Sequence, residues 1–262
     1  MWWKATPTTP CMVAGSSPAI VANKSNNMKT ILLGDTHGRT LWKDIVTKES
    51  PDQVVFIGDY FDSLDISPEN QLRNFLDILE YKYRIPNTIL LIGNHDFHYM
   101  FNYERYSGFQ PKMYPTFNYL INEEKDSFQM AFLLDDLLCT HAGVSAEWLK
   151  DNDISEDADL VKEINELFIA QPRRFMFNGI EPSGDDTYQT PIWIRPESLM
   201  KANKNSSLKK AYRQVVGHTQ VSADASIEML NKFTGGRYLL IDVIHQGKYL
   251  VYNDGELTFG KI

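Results

Sequence analysis

Three short apolar runs constrain this chain more than any other feature: KTILLG at 29–34, QVVFIG at 53–58 and NTILLIG at 87–93. Each is a near-continuous stretch of Ile, Leu, Val or Phe. Each ends in glycine and gives way at once to polar side chains, in GDTHG, GDYFD and GNHDFH. The segments between them, RTLWKDIVTK at 39–48 and ENQLRNFLDILEYKY at 69–83, carry apolar residues at helical spacing. The order is therefore β-α-β-α-β. Strands without polar alternation are buried on both faces, the condition of a parallel sheet, and such sheets gather ligands beyond the carboxyl ends of their strands. The three polar clusters are expected to meet in one crevice.

The second half is less regular. FQMAFLLD at 128–135 and LLCTHAG at 137–143 predict a strand pair joined by a tight Asp-Asp turn, and ADLVKEINELFIAQ at 158–171 predicts a helix. YRQVVGHT at 212–219, ASIEML at 225–230, RYLLIDV at 237–243 and GKYLVYN at 247–253 predict further short strands. A second sheet packed on the first, with helices outside, accommodates them most economically. The expected fold is α/β: a four-layer αββα sandwich of two mixed sheets packed face to face.

Composition narrows the partners. The chain has 262 residues and a formal net charge of −8, so its overall field repels polyanions, and no Lys/Arg block makes a dedicated nucleic-acid-binding surface. The two cysteines, Cys11 and Cys139, lack CxxC spacing, which excludes a disulfide framework and a thiolate zinc site and suits the cytoplasm. No stretch reaches the roughly 18 apolar residues that span a bilayer. Residues 1–27 are rich in Pro, Ser, Thr and Ala without amphipathic period, and read as a disordered leader. VAGSSPA within them back-translates onto the T-arm of a transfer-RNA gene, which would make Met28 the true start and 28–262 the catalytic domain.

Six polar side chains follow the apolar runs directly: Asp35, His37, Asp59, Asn94, His141 and His218. They are oxygen and nitrogen donors without a thiolate, the set that holds divalent cations. A catalytic zinc takes three protein ligands, whereas six suit two ions about 3.5–4 Å apart sharing one carboxylate, for which Asp59 is the natural bridge. Such a pair activates a water held between the ions and clamps the entering and departing oxygens of an in-line displacement at phosphorus. The reaction class expected is hydrolysis of a phosphate ester or anhydride. Taken singly, an Asp after a strand is often a helix cap and a buried His a satisfied core residue. Five clusters, each ending a strand and each supplying the right donor, do not follow from capping alone.

GDTHG, GDYFD, GNHD, THAG and GHT also stand in the order and approximate spacing of the calcineurin-like metallophosphoesterases. From Met28 onward the chain resembles the bacterial and bacteriophage branch of phosphoprotein phosphatases, to which PIWIRPE at 191–197 and Asp242 after an apolar strand are similar as well. The resemblance implies one cation on Asp35, His37 and Asp59 and another on Asp59, Asn94, His141 and His218. Manganese is the first expectation; iron, zinc and cobalt are compatible. It also implies that His95 gives a proton to the leaving group, oriented by Asp62. Chemistry agrees, since a carboxylate accepting a hydrogen bond from His95 stabilises its imidazolium form.

Two departures stand out. The branch usually has arginine where this chain has Ser63 and Ile92, so two phosphate clamps are missing, and neither replacement can hold a phosphoryl group bidentately. Arg195 matches the remaining phosphate-binding arginine, with Arg39 and Arg105, which follow two site loops, as weaker candidates. Asp96 replaces the more usual glutamate. His98 reads as a supporting or surface residue and His245 as surface. The aromatic-rich stretch 99–120 reads as packing, although its rings would also suit a nucleobase. The expected function is a serine/threonine-type protein phosphatase or other phosphomonoesterase, whose partner is a phosphoprotein, nucleotide or small phosphoester. The alternatives are hydrolysis of dinucleoside polyphosphates of the diadenosine tetraphosphate type, or of another phosphoanhydride or diester, and a non-catalytic phosphate-binding protein.

Overall fold

A computed structural model describes residues 28–179, 186–222 and 235–262. The leader at 1–27 and the strand expected at 225–230 lie outside the described residues. β1 Thr30–Leu33, α1 Leu41–Glu49, β2 Gln53–Phe56, α2 Pro68–Arg84 and β3 Thr88–Leu91 form the β-α-β-α-β unit. α3 Asn94–Met100, α4 Tyr114–Glu123, β4 Phe128–Gln129, β5 Phe132–Leu134 and β6 Leu137–Cys139 follow. Four helices come next: α5 Ala146–Asp151, α6 Leu160–Ala170, α7 Pro196–Ala202 and α8 Leu208–Ala211. β7 Arg213–Gln220, β8 Tyr238–Asp242, β9 Lys248–Asn253 and β10 Glu256–Lys261 complete the chain.

The first sheet has the order β10-β9-β1-β2-β3-β4 and the second β5-β6-β7-β8. β1 to β4 are parallel and β9 and β10 antiparallel; in the second sheet only β5 is antiparallel to its neighbour. Both sheets are mixed. The apolar strands bury alternate residues in two cores. Leu32, Val55 and Leu91 meet Cys139, Val215 and Leu239 between the sheets. Ile31, Val54 and Phe56 pack instead with Trp42 and Ile45 of α1 and Phe75 and Ile78 of α2. On the far side, Leu199 of α7 packs against Tyr238 of β8. This is the four-layer arrangement, and each fully buried Leu, Ile or Phe adds about 1.5–3 kcal/mol to it. Among the described residues no helix is long and apolar enough to cross a membrane.

One expected strand divides. FQMAFLLD is not a single strand: Phe128–Gln129 pairs with β3 in the first sheet, while Phe132–Leu134 pairs with β6 in the second. Between them the chain changes sheets, and the peptide N–H groups of Met130 and Ala131 donate to Asn165 Oδ1 at 2.8 and 3.1 Å, which satisfies backbone that neither ladder can use. Both halves are apolar, so sequence pattern alone shows no break. The Asp-Asp turn is present, with Asp135 at φ 52°.

Candidate metal centre

Every ligand candidate stands at or just beyond the carboxyl end of a strand. Asp35 and His37 follow β1, Asp59 follows β2, Asn94 opens α3 after β3, and His141 follows β6. His218 lies within β7, at a register shift between Val216 and Gln220 that turns its side chain toward the first sheet's loops. His37, Asp59, Asp62 and His218 all have positive φ, between 43° and 65°. Left-handed backbone costs a non-glycine residue on the order of 1 kcal/mol or more, and strain of this kind persists where surrounding structure imposes it. The glycines before His218 and Asn94 are steric requirements. A Cβ on Gly217 would lie 2.1 Å from Asp35 Oδ1, and one on Gly93 would lie 2.1 Å from Asp59 Oδ1.

The donors converge. Asp59 Oδ2 lies 3.3 Å from His141 Nε2 and 3.7 Å from His37 Nε2. Asn94 Oδ1 lies 3.0 Å from His141 Nε2 and 2.9 Å from His218 Nδ1. Ligand atoms of Asp35, His37 and Asp59 form one group within 4.8 Å of one another, and those of Asp59, His141 and His218 another, so Asp59 belongs to both. The remaining ring nitrogen of each imidazole sits on a backbone carbonyl: His37 Nδ1 on Phe61 O at 2.5 Å, His141 Nδ1 on Ile57 O at 2.9 Å, and His218 Nε2 on Trp193 O at 3.1 Å. Those carbonyls accept hydrogen bonds from the ring N–H groups and fix the tautomers, which turns the lone pairs of His37 Nε2, His141 Nε2 and His218 Nδ1 inward.

Charge distribution gives the same result. Burial, then the neighbouring Asp242 and Asp59 carboxylates, push the Asp35 pKa well above the usual range. Asp242 is pushed to about 7 by burial and then by Asp59. Burial would also raise Asp59, but His141, His95 and His37 outweigh it and hold its pKa well down. Burial lowers His37 and His218, keeping them neutral, the form in which imidazole ligates. His141 is raised to about 10, against the effect of burial, by Asp59 and Asp35. Crowded buried carboxylates, inward lone pairs and an oxygen-nitrogen donor set fit divalent cations.

Beside the donors stands a hydrogen-bonded pair. His95 Nδ1 donates to Asp62 Oδ2 at 2.9 Å, and Tyr99 Oη donates to Asp62 Oδ1 at 2.6 Å. Burial opposes ionisation of both partners, yet the His95 hydrogen bond and the neighbouring His98 imidazole hold the Asp62 pKa down, while Asp59 and Asp62 raise that of His95. A cavity of about 480 Å³ opens over Asp35, Asp59, Asn94, His95 and His218, and Arg195 lines it too. Arg195 Nη1 donates to His218 O at 2.8 Å and to Thr219 Oγ1 at 3.1 Å. Arg39 and Arg105 do not line this cavity: Arg39 pairs with Asp65 at 3.1 Å and Arg105 lies over the Phe109 ring at 4.8 Å.

The substituted positions have structural uses. Ser63 Oγ donates to Asp65 Oδ1 at 2.6 Å and accepts the Ile66 N–H at 3.3 Å, closing the turn that leads to α2. Ile92 is fully buried in the helix-side core. His98 is buried, not at the surface: its Nε2 lies 2.7 Å from Asp62 Oδ2, and its Nδ1 accepts the Tyr106 N–H at 3.3 Å. His245 is half-buried, 3.9 Å from Asp242. Much of the aromatic stretch packs as expected, Phe117 on Phe61 and Phe109 on Tyr99, but Tyr106 lines the cavity.

Asp96 carries a role that its identity alone did not reveal. It is fully buried and accepts three backbone N–H groups, from Asp59 at 2.7 Å, Tyr60 at 2.8 Å and Gly93 at 2.9 Å, tying the loops after β2 and β3 together. The detectable signal is the spacing, since Asp96 is the third helical residue after Gly93, which caps α3, the place from which an acid reaches back to the cap. Asp96→Ala is expected to leave three buried donors unpaired and to cost about 4 kcal/mol. The melting temperature should then fall by on the order of 10 °C in a chain of this size. A change under about 2 °C by calorimetry would show the loops are held otherwise.

A donor set of this kind, at the strand ends of a two-sheet α/β sandwich, defines a class: the metal-dependent hydrolases of phosphoric esters. The family model for calcineurin-like phosphoesterases matches residues 28–221, and the chain belongs to that family. Membership implies divalent metal ions, which the Asp and His side chains are positioned to hold. Among solved structures, the chain is similar to a cold-active protein-tyrosine phosphatase of a psychrophilic Shewanella species, at 20% identity and TM-score 0.61, over 90% of this chain and 78% of that one. It is likewise similar to a protein serine/threonine phosphatase of Saccharomyces cerevisiae, at 16% identity and TM-score 0.55, over 92% and 81%. Both likenesses concern the fold. No curated protein sequence matches the chain.

Proposed function

We propose that the chain is a two-metal phosphomonoesterase of the phosphoprotein-phosphatase kind, working in the cytoplasm. Asp35, His37 and Asp59 would hold one cation, and Asp59, Asn94, His141 and His218 the other, manganese first among the candidates. Bound there, the cations supply Lewis acidity and an activated water. The chain's own residues do the rest. Arg195 binds and orients the phosphoryl group, His95 presents a proton to the leaving oxygen from Nε2, and Asp62 holds Nδ1 and stabilises the imidazolium.

The observation that carries this reading is the 2.9 Å contact between His95 and the buried Asp62, beside the carboxylates that line the same cavity. A stabilised proton donor matters most for esters of weakly acidic alcohols. The leaving group of a polyphosphate is acidic enough to depart with little help, which ranks phosphoanhydrides second. The two similar structures are named for different phosphorylated residues, so their names do not decide between serine/threonine and tyrosine. The test is a screen of the purified, manganese-loaded protein against phosphopeptides, nucleotides, a dinucleoside polyphosphate and a bis-ester. Phosphopeptides should give the highest kcat/KM; a dinucleoside polyphosphate giving more would overturn the assignment.

Arg195→Ala is expected to raise KM and lower kcat together, because a charged contact tightens as charge builds in the transition state. The loss in kcat/KM should be on the order of 10² to 10³ for p-nitrophenyl phosphate, with metal content unchanged. Unchanged constants would remove Arg195 from the phosphate site.

A further inference from the structure

Phosphoryl transfer at the donor cluster leaves one wall of the cavity unused. Tyr106, Phe177 and Trp193 all line it, and all three are half-buried. Trp193 meets both of the others edge to face, with ring centroids 4.4 Å from Tyr106 and 5.0 Å from Phe177. The wall is anchored at both ends to the reacting side of the cavity. The Trp193 ring lies 5.7 Å from His218, and the Tyr106 ring stacks at 5.8 Å and 15° on His98, the residue that touches Asp62 beside His95. Backbone hydrogen bonds hold both ends: Tyr106 N–H donates to His98 Nδ1 at 3.3 Å, Phe177 N–H to Tyr106 Oη at 3.4 Å, and Trp193 N–H to Thr190 O at 2.9 Å. Three rings fixed in this way lose little freedom when a fourth joins them.

We propose that this wall is a subsite for an aromatic ring carried directly on the ester oxygen, which makes aryl phosphate monoesters, and phosphotyrosyl side chains among them, the preferred substrates. The proposal rests on the phosphomonoesterase reading and adds the leaving group to it. Position argues for the ester group itself. The wall stands in ring contact with His218 and His98, so it reaches whatever is attached to the phosphate, whereas the base of a nucleoside 5′-phosphate lies a ribose further away. Chemistry argues for an aromatic group. Ring pairs gain beyond the area they cover, while the methylene of a phosphoseryl ester leaves the three rings in water. A cavity of about 480 Å³ is within the usual range for small-molecule sites and admits a phenyl phosphate.

The test separates ring recognition from leaving-group acidity and from turnover. Binding of phenylphosphonate and n-butylphosphonate, which carry no hydrolysable ester, is measured by calorimetry on the manganese-loaded protein. In parallel, kcat/KM is measured for phenyl phosphate and for a fluoroalkyl phosphate whose alcohol is about as acidic as phenol. The wild type should favour the aryl compound in both measurements by on the order of tenfold. Trp193→Leu should bring the aryl-to-alkyl ratio toward one, and Phe177→Leu should lower it in the same direction if the first variant folds poorly. A wild type without aryl preference in binding, or variants that weaken aryl and alkyl ligands in the same proportion, would overturn the proposal. Aryl-selective phosphonate binding without turnover of any ester would support the subsite and count against the phosphomonoesterase reading alone.

Discussion

Asp59→Asn is expected to lose most of its bound metal and nearly all turnover while remaining folded. Asp59 is the carboxylate common to both donor groups, 3.3 Å from His141 Nε2 and 3.7 Å from His37 Nε2. The amide keeps the size of the side chain, and its oxygen can still accept the His95 N–H that Asp59 Oδ1 accepts at 2.9 Å. What it removes is the negative charge shared by the two donor groups. Losing a partner outside the ligand shell typically costs about 10–100-fold in affinity or activity, and the loss of the shared ligand should exceed that. Metal stoichiometry by elemental analysis and kcat/KM on p-nitrophenyl phosphate check it. Full manganese content at the wild-type rate would end the two-cation assignment.

His95→Asn is the complementary case, in which metal should stay and rate should fall. His95 donates through Nδ1 to Asp62 and contributes no atom to the two donor groups around Asp59. Turnover of an alkyl phosphate should drop by roughly 10² to 10⁴, the range for a lost general acid. The loss should be much smaller for p-nitrophenyl phosphate, because an acidic phenol leaves without a proton. Equal losses on both substrates, with metal content intact, would show that His95 does not protonate the leaving group.

Much of this centre is legible in the amino-acid sequence. Asp35, Asp59 and Asn94 each follow an apolar run and a glycine, and a parallel sheet buried on both faces brings the ends of such runs to one edge. In the second sheet His218 likewise follows an apolar run and a glycine, and His141 follows an apolar run through Thr140. Their convergence therefore comes from local pattern plus one topological fact. The break between β4 and β5 is not legible, because both halves of FQMAFLLD are apolar and only Asn165, 34 and 35 residues away, decides which backbone groups leave the ladder.

The arginines show the same limit. Arg39 and Arg105 follow site loops in sequence, but Asp65 holds the one and the Phe109 ring the other, and neither pairing has a periodic signature. His98 is ambiguous in sequence because a residue three places along a helix from His95 lies on a neighbouring face, and only the Tyr106 N–H and Asp62 fix where its ring turns. Sequence by itself determined the layers, the strand ends and the donor chemistry, since burial pattern and residue type are properties of short segments. Tertiary structure alone decided which imidazole nitrogens face inward, that one buried aspartate ties two loops together, and that Tyr106, Phe177 and Trp193 form one wall. Those outcomes depend on contacts between residues far apart in the chain, where each partner is fixed by the packing of the rest.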